Sequence, residues 1–177
     1  MELKFEEEME ELNKLGFLNP NDLSKEYIET LPVRYGTRVI VFTEDDKVIL
    51  INLKHKHTYT LIGGNIDDGE NIEDSMRREC KEESGYDLDK VIPLGYIEIW
   101  KNKYRRFVFG FIAKTKGDPS ELKLTEKEIE SGHTVELHEF EEAINILDNE
   151  GDGNDNLSSI RSLMFMEESK KYLKYFV

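Results

Sequence analysis

Three glutamates, Glu79, Glu82 and Glu83, lie within little more than one turn of a segment, residues 72–84, that the sequence predicts to be a helix. At about 100° per residue, their side chains share an arc of about 100° around the helix axis. Carboxylates at this spacing repel one another unless a cation lies among them. Mg²⁺ binds such oxygen ligands while it keeps several waters, and such a water is a competent nucleophile. The alternative is an acidic helix face that is simply solvated.

The predicted helix has a recognisable beginning and end. Asn71 is a favourable N-cap residue, and Asp74, three residues later, can complete a capping box and complement the helix dipole. Gly85 suits the left-handed position that follows a helix. An apolar residue recurs at every fourth position and predicts the stripe that faces the core: Ile72, Met76 and Cys80. The glutamates therefore belong to a different face from the one that packs.

Residues around the glutamates favour a metal site over a solvated face. The pair Gly63-Gly64 follows a β-rich run, residues 58–62, and lets the backbone approach the helix closely. Arg78 stands beside Glu79 and is a cation that can pair with Glu70 and hold the intervening loop.

The stretch from Gly64 to Tyr86 resembles the Nudix box, which reads Gly, five residues, Glu, seven residues, Arg-Glu, an apolar residue, any residue, Glu-Glu, any residue, Gly and an apolar residue. Every fixed position is matched, by Gly64, Glu70, Arg78, Glu79, Glu82, Glu83 and Gly85. Cys80 and Tyr86 fill the two apolar slots, and Ile62 stands where many members have proline before the paired glycines. A match of this length decides against an acidic surface that only happens to have this spacing.

The resemblance implies that a diphosphate linkage is hydrolysed by metal-activated water. It makes Glu79, Glu82 and Glu83 catalytic residues and ligands of Mg²⁺, with Mn²⁺ as an alternative ion. One of these glutamates can instead hold or deprotonate the water. In many members the backbone carbonyl of the residue at Gly63 completes the metal site, and residues corresponding to Glu70 and Arg78 orient the loop on the helix.

The remaining pattern predicts an α/β fold, similar to the α/β/α sandwich of the family with a mixed sheet, plus an N-terminal helical extension. We assign residues 1–33 to this extension, with a helix over residues 3–15, and residues 34–177 to the Nudix domain. Residues 119–131 are predicted to be a loop or loosely helical, and residues 148–156 a flexible connector. The other predicted strands are 38–42, 47–51, 91–100, 105–113 and 134–137. The other predicted helices are a short one near residues 23–30 and two longer ones at 139–147 and 157–175.

Composition limits the class of protein. A chain of 177 residues with 38% hydrophobic content fits one compact domain. Its net charge of −14 argues against a nucleic-acid polymer or an anionic membrane as partner. The single cysteine, Cys80, permits no intrachain disulfide, and we see neither a signal peptide nor an apolar run of membrane-spanning length. We expect a cytoplasmic protein that acts on a nucleotide-type small molecule.

The box leaves the substrate open, because substrate contacts come from elsewhere on the scaffold. We slightly favour a nucleoside diphosphate linked to another moiety, such as a nucleotide sugar or an ADP-ribose-like compound, because the N-terminal extension enlarges the domain. The alternatives are a nucleoside triphosphate pyrophosphohydrolase of the housecleaning type and a non-catalytic Nudix domain that senses a nucleotide.

Three residues outside the box are candidates for substrate binding. Arg38 can meet a phosphate or a base, Tyr59 can stack on a base, and Glu128 can be the further glutamate that many members recruit from a later loop. Each also has an ordinary alternative, as a surface ion pair, a core tyrosine and a surface glutamate. A basic, aromatic hairpin over residues 100–106 can contact substrate, contact a second subunit in a homodimer, or be plain surface.

Overall fold

A mixed seven-stranded sheet with helices on both faces is the framework of the computed structural model, which describes residues 4–149 and 157–177. The strands are β1 (Lys14–Leu18), β2 (Val33–Phe42), β3 (Val48–Leu53), β4 (Thr58–Thr60), β5 (Asp87–Lys101), β6 (Tyr104–Lys116) and β7 (His133–His138). The helices are α1 (Glu6–Glu11), α2 (Lys25–Ile28), α3 (Ile72–Ser84), α4 (Glu126–Glu130), α5 (Phe140–Asn149) and α6 (Leu157–Ser169), with short 3₁₀ turns at Lys54–Lys56 and Lys170–Tyr175.

The order of the strands confirms the predicted mixed sheet and sandwich. Strands run in the order β1-β5-β6-β2-β3-β4, and β7 pairs with β3. The β5–β6 pair is an antiparallel hairpin, whereas β2 lies parallel to β6 along its whole length. Strand β3 is antiparallel to both β4 and β7 and meets β2 at one register position, Phe42 opposite Val48.

Both faces of the sheet are buried, and β2 shows why. Successive side chains of a strand point to opposite faces. Val39 and Val41 belong to the core beneath α3, while Ile40 and Phe42 belong to the core beneath α5 and α6. A strand covered on both sides therefore has a continuous apolar run rather than an alternating one.

Helix α3 spans the residues predicted for it, Ile72–Ser84. The Asn71 side chain accepts a hydrogen bond from the backbone N–H of Asp74 at 2.8 Å, and Gly85 ends the helix with φ of 79°. The predicted apolar stripe is buried at its three positions, Ile72, Met76 and Cys80. The helix is thus held at both ends and along one side, and its glutamates lie on another.

The N-terminal extension differs from its prediction. The helix ends at Glu11 instead of continuing to residue 15, and the chain then forms β1, which pairs in parallel with the edge of β5. The backbone N–H of Tyr96 donates to the Asn13 carbonyl at 2.9 Å, and the Lys14 ammonium pairs with the buried Glu98 carboxylate. Strand pairing at an open sheet edge overrides the local helical spacing here, so the extension is helix and strand. The proposed boundary at residue 33 stays a prediction.

The C-terminal part follows the prediction with one difference. Helix α4 forms inside the polar stretch 119–131, which is predicted to be a loop or loosely helical, whereas α6 gives way to a 3₁₀ turn after Ser169. The apolar Ile160 of α6 is 45% exposed, because the buried face of this helix carries mainly other residues. Residues 150–156 of the predicted connector lie outside the described part of the chain. No helix in the described ranges is long and apolar enough to cross a membrane.

Candidate metal centre and active site

A cleft of about 560 Å³ lies beside α3 and brings together parts of the chain that are distant in sequence. Its lining comes from β2, the segment that follows β4, the acidic face of α3, and the residues in and around α4. The lining includes Arg38, Lys56, Thr60, Gly63, Gly64, Asn65, Asp67, Arg78, Glu79, Glu82, Glu83, Thr125, Lys127 and Glu128. The predicted α3 carboxylates therefore face an open cleft.

Three carboxylates converge in this cleft. One ligand oxygen from each of Glu79, Glu83 and Glu128 lies within 4.8 Å of the other two. Glu79 and Glu83 are each only 8% exposed. Burial raises the pKa of Glu79, and it raises the pKa of Glu83 to about 8, with repulsion from neighbouring carboxylates adding to both. Carboxylates this close and this buried either keep a proton, as the raised pKa of Glu83 indicates, or bind a cation. An all-oxygen donor set suits a hard divalent ion.

Glu83 is fixed from both of its ends. Its Oε2 accepts a hydrogen bond from the backbone N–H of Gly63 at 2.8 Å, and its backbone carbonyl lies 2.9 Å from Nε2 of His133. Gly63 has φ of 134°, and a Cβ there would lie 2.2 Å from the Thr37 carbonyl oxygen. Only glycine fits at position 63, because the backbone approaches β2 so closely there. The N–H of Gly63 then holds the Glu83 carboxylate in place.

Gly64 leaves space for Glu79. A Cβ on Gly64 would lie 2.3 Å from Oε1 of Glu79. The Gly64 carbonyl accepts the backbone N–H of Thr37 at 3.0 Å, so this part of the loop is tied to β2. Because Gly64 has no side chain, the Glu79 carboxylate can lie directly against the loop, and the hydrogen bond to Thr37 keeps the loop in this position.

Arg78 ties the loop to α3. Its guanidinium donates to both oxygens of Glu70, at 2.8 and 3.0 Å, and to the Asn65 carbonyl at 3.2 Å. The same group donates to Glu79 at 2.9 Å and to Glu82 at 3.1 Å. The hydrogen bond from Arg78 holds the pKa of Glu70 below its ordinary value. Arg78 and Glu70 therefore join the loop to α3, and their role in orienting the site stays a prediction.

The converging set differs from the predicted metal set, which was Gly63, Glu79, Glu82 and Glu83. Glu128 stands with Glu79 and Glu83, whereas Glu82 is 35% exposed at its side chain and hydrogen-bonded to Arg78. Glu82 still lines the same cleft. Gly63 contributes its N–H to Glu83, and the predicted ligand role of its carbonyl remains a prediction.

The chain before α4 brings Glu128 to the cleft. The backbone N–H groups of Ser120 and Lys123 donate to the carbonyls of Gly85 and Glu82, at 2.8 and 2.9 Å. Thr125 and Glu128 then form a capping box at the start of α4, in which the Thr125 N–H donates to the Glu128 carboxylate at 2.6 Å. The connection is thus fastened to the end of α3, and its glutamate meets the α3 glutamates.

The other two substrate candidates have different positions. Arg38 lines the cleft, and burial lowers its pKa to about 10. Tyr59 lies outside the lining, packs against the core beneath α5 and α6, and donates its hydroxyl to Glu136 at 3.1 Å. Alternation along β4 brings its neighbour Thr60 to the cleft instead. Three further residues of the cleft lining were not predicted from the sequence, Thr60, Lys56 and Lys127. Only the alternation along β4 and the composition of the loops could have indicated them.

The hairpin that we considered for substrate or a second subunit is partly covered by the N-terminal extension. Trp100 makes an edge-to-face contact with Phe17 of β1 at 4.8 Å between ring centroids. Its indole N–H donates to Glu98 at 2.6 Å, and Glu98 also accepts from Arg105 at 2.7 Å. The aromatic and basic residues here thus fasten β1 to the sheet, and the homodimer remains a prediction.

The fold and the cleft define a class, an α/β/α sandwich with a cluster of carboxylates beside a glycine loop. The family model described as NUDIX domain matches residues 32–155. The chain therefore belongs to the Nudix family, and with a complete box it is a Nudix pyrophosphohydrolase. No curated protein matches the chain significantly.

Solved structures share the fold at low sequence identity. A MutT protein from Methanosarcina mazei Go1 is 12% identical with a TM-score of 0.56, over 80% of this chain and 96% of that one. An ADP compounds hydrolase is 21% identical with a TM-score of 0.60, over 80% and 74% of the two chains. A mutator MutT protein from Bacillus halodurans is 21% identical with a TM-score of 0.51, over 64% and 72%.

The raised pKa of Glu83 predicts that divalent metal binding depends on pH. The folded, metal-free protein keeps a proton on Glu83 up to about pH 8, whereas the unfolded chain releases it near the ordinary value of 4.5. The stability of the metal-free protein therefore falls as the pH rises through this window. Metal binding must displace the proton, so affinity for Mg²⁺ should rise from pH 6 to pH 8 and level off above.

Calorimetric titration with Mn²⁺ in buffers of different ionisation enthalpy measures the proton release directly. We expect about one proton per ion at pH 7, and a smaller number in a Glu83→Gln variant. An affinity that does not change between pH 6 and pH 8 would contradict a protonated Glu83.

Proposed function

We propose that this chain is a Mg²⁺-dependent hydrolase that cleaves the diphosphate linkage of a nucleoside diphosphate joined to another moiety, with nucleotide sugars and ADP-ribose-like compounds favoured. The observation that carries the proposal is the convergence of the Glu79, Glu83 and Glu128 carboxylates in one open cleft. The cleft volume of about 560 Å³ lies in the range of sites that hold small-molecule ligands.

The donor set fits Mg²⁺. Glu79, Glu83 and Glu128 supply carboxylate oxygens, which hard ions prefer over nitrogen or sulfur ligands. Mn²⁺ accepts the same donors and is the second choice. When bound, the ion polarises a phosphoryl oxygen and makes water a stronger nucleophile near neutral pH.

The protein side chains divide the remaining work. Arg78 holds the loop and α3 in one geometry through Glu70 and the Asn65 carbonyl, so the carboxylates keep their places. We assign the proton acceptor to Glu82, because it lines the cleft and stands outside the convergent set. Water attacks one phosphorus, the anhydride P–O bond breaks, and the proton of the water passes to Glu82. Arg38 faces the cleft and meets the negative charge of the phosphates.

Two alternatives stand beside the favoured substrate class. The favoured class is supported by the name ADP compounds hydrolase of one structural neighbour. A nucleoside triphosphate pyrophosphohydrolase would use the same carboxylates, since its substrate is also a phosphoric anhydride. A non-catalytic nucleotide sensor is disfavoured because all the box carboxylates are retained.

A phosphate-release screen tests the proposal. Purified protein is incubated with nucleotide sugars, ADP-ribose, dinucleoside polyphosphates and nucleoside triphosphates, with Mg²⁺ or Mn²⁺, and products are resolved by chromatography. We expect release of a nucleoside monophosphate from the diphosphate-linked group, and none with chelator present. Preferred release of pyrophosphate from triphosphates would move the assignment to the first alternative, and no turnover of any compound would favour the sensor.

A further inference from the structure

Three arginines lie together beneath α6, on the side of the cleft away from α3. Arg38 of β2 and Arg106 of β6 point to the sheet face that α6 covers, since each has the same strand parity as its core neighbours Ile40 and Val108. Arg161 of α6 is only 7% exposed. These three residues are called the arginine cluster below.

Helix packing explains how Arg161 reaches the other two. Gly110 of β6 is the register partner of Arg38, and a Cβ on Gly110 would lie 2.1 Å from the ring of Phe165. The helix therefore crosses the sheet directly over this register position. Arg161 precedes Phe165 by one turn and lies on the same buried face.

In the described ranges 4–149 and 157–177 the arginine cluster forms no salt bridge, and the carboxylates that act on it are Glu83 and Glu79, which attract Arg38. The Nε atom of each arginine is buried without a hydrogen-bond partner. Their hydrogen bonds go to uncharged oxygens: Arg38 to the Thr37 carbonyl at 2.8 Å, Arg106 to Asn65 Oδ1 at 3.0 Å and to the Tyr104 side chain, and Arg161 to Ser158 Oγ at 3.3 Å.

The three positive charges also act on one another. Burial, followed by repulsion from Arg38 and Arg106, lowers the pKa of Arg161 well below its ordinary value. Repulsion from Arg106 likewise helps to lower the pKa of Arg38. Glu83 and Glu79 attract Arg38 and offset part of this effect. Buried cations without a salt-bridge partner cost stability, and a bound anion would remove that cost.

The arginine cluster adjoins the carboxylate cleft. Arg38 and Asn65 belong to the cleft lining, and Asn65 holds Arg106. At the start of α6 the Ser158 hydroxyl donates to Thr60 Oγ1 at 3.2 Å, and Thr60 lines the cleft as well. Arg38, Asn65 and Thr60 therefore connect the cleft to the arginine cluster.

We propose that Arg38, Arg106 and Arg161 form an anion subsite that binds one phosphate group of the substrate, beside the carboxylates and beneath α6. Phosphate offers charge and several acceptor oxygens to guanidinium groups, which bind it with charge-assisted hydrogen bonds. The proposal rests on the proposed function for the identity of the ligand as a phosphate compound. That phosphate is either part of the diphosphate being cleaved or a separate phosphate further along the substrate.

Binding of inorganic phosphate and pyrophosphate in the presence of chelator tests the subsite without turnover. We expect both anions to raise the Tm of the native protein, and Arg161→Met to weaken their binding at least about tenfold by calorimetry. Without anion, Arg161→Met should unfold at or above the native Tm, because it removes an unpaired buried charge. Arg77→Gln, which removes the same charge from the outer side of α3, should leave anion binding unchanged.

A purely structural role for Arg161 predicts the opposite pattern, a lower Tm in Arg161→Met with the anion effect retained, and this result overturns the subsite. An absence of any phosphate effect on the native protein overturns it too. Arg106→Met provides a second variant if the first does not fold, with the same expected loss of anion binding.

Kinetics with a hydrolysed substrate then identify which phosphate the subsite holds. A raised KM with little change in kcat in Arg161→Met supports a phosphate remote from the cleaved bond, and a fall in kcat supports one of the cleaved pair. Glu83→Gln separates the two proposals, because it should abolish turnover and keep phosphate binding in chelator. Full turnover in Glu83→Gln contradicts the proposed function while the binding result for the arginine cluster stands.

Discussion

Glu83→Gln is expected to lower metal-dependent hydrolysis by about 10³-fold while the fold stays intact. The amide keeps the shape of the side chain and an oxygen to accept the Gly63 N–H, but it removes the negative charge that a cation needs. Burial raises the pKa of Glu83 to about 8, so the native carboxyl is largely protonated at pH 7 without metal. The amide resembles that neutral form, and the metal-free Tm should hardly change.

The measurement is kcat with saturating Mg²⁺, together with thermal unfolding in chelator. Glu73→Gln is the matched control on the same helix, since Glu73 pairs with Arg77 on the exposed side. The control should retain native turnover within about twofold. If Glu83→Gln also kept its turnover with the true substrate, the catalytic assignment of the cleft would be wrong.

Gly63→Ala is expected to destabilise the protein by about 3 kcal/mol, which corresponds to a fall in Tm of roughly 10 °C. The substitution forces an L residue to adopt φ of 134° and puts a Cβ 2.2 Å from the Thr37 carbonyl oxygen. The obstacle is backbone and cannot rotate away. The N–H of Val39 donates to the Ile62 carbonyl at 2.9 Å, so the loop cannot easily shift from β2.

Urea unfolding of Gly63→Ala and Gly69→Ala separates steric collision from backbone strain. Gly69 also has positive φ, at 85°, but a Cβ there would meet nothing within 4 Å. Its substitution should cost only about 1 kcal/mol. If the two variants lost the same free energy of unfolding, the distance between Gly63 and β2 would have to be larger than in the structure.

The sequence alone was sufficient to predict the bounds of α3 and to identify the Nudix box that it carries. The N-cap Asn71, the left-handed Gly85 and the apolar spacing between them act over a few residues, so the predicted ends agree with the observed helix. The box spacing depends on the same local geometry, because residues three or four apart on a helix face one direction. Chemistry carried by one helix can therefore be inferred from its sequence.

Features that depend on contacts between distant parts of the chain could not be predicted from the sequence. Local spacing predicted a helix through residue 15, but an open edge on β5 made part of that segment a strand. Similarly, Tyr59 and Thr60 are adjacent, and only the placement of α5 and α6 decides which one faces the cleft.

The glutamate cluster shows the division most clearly. The sequence by itself determined that α3 carries a row of carboxylates on one face and that the chain resembles the Nudix family. Only the tertiary structure placed Glu128 beside Glu79 and Glu83, and Arg161 beside Arg38 and Arg106. The reason is physical: caps and helical periodicity act through neighbouring residues, whereas the meeting of charges from separate elements depends on how helices and strands pack.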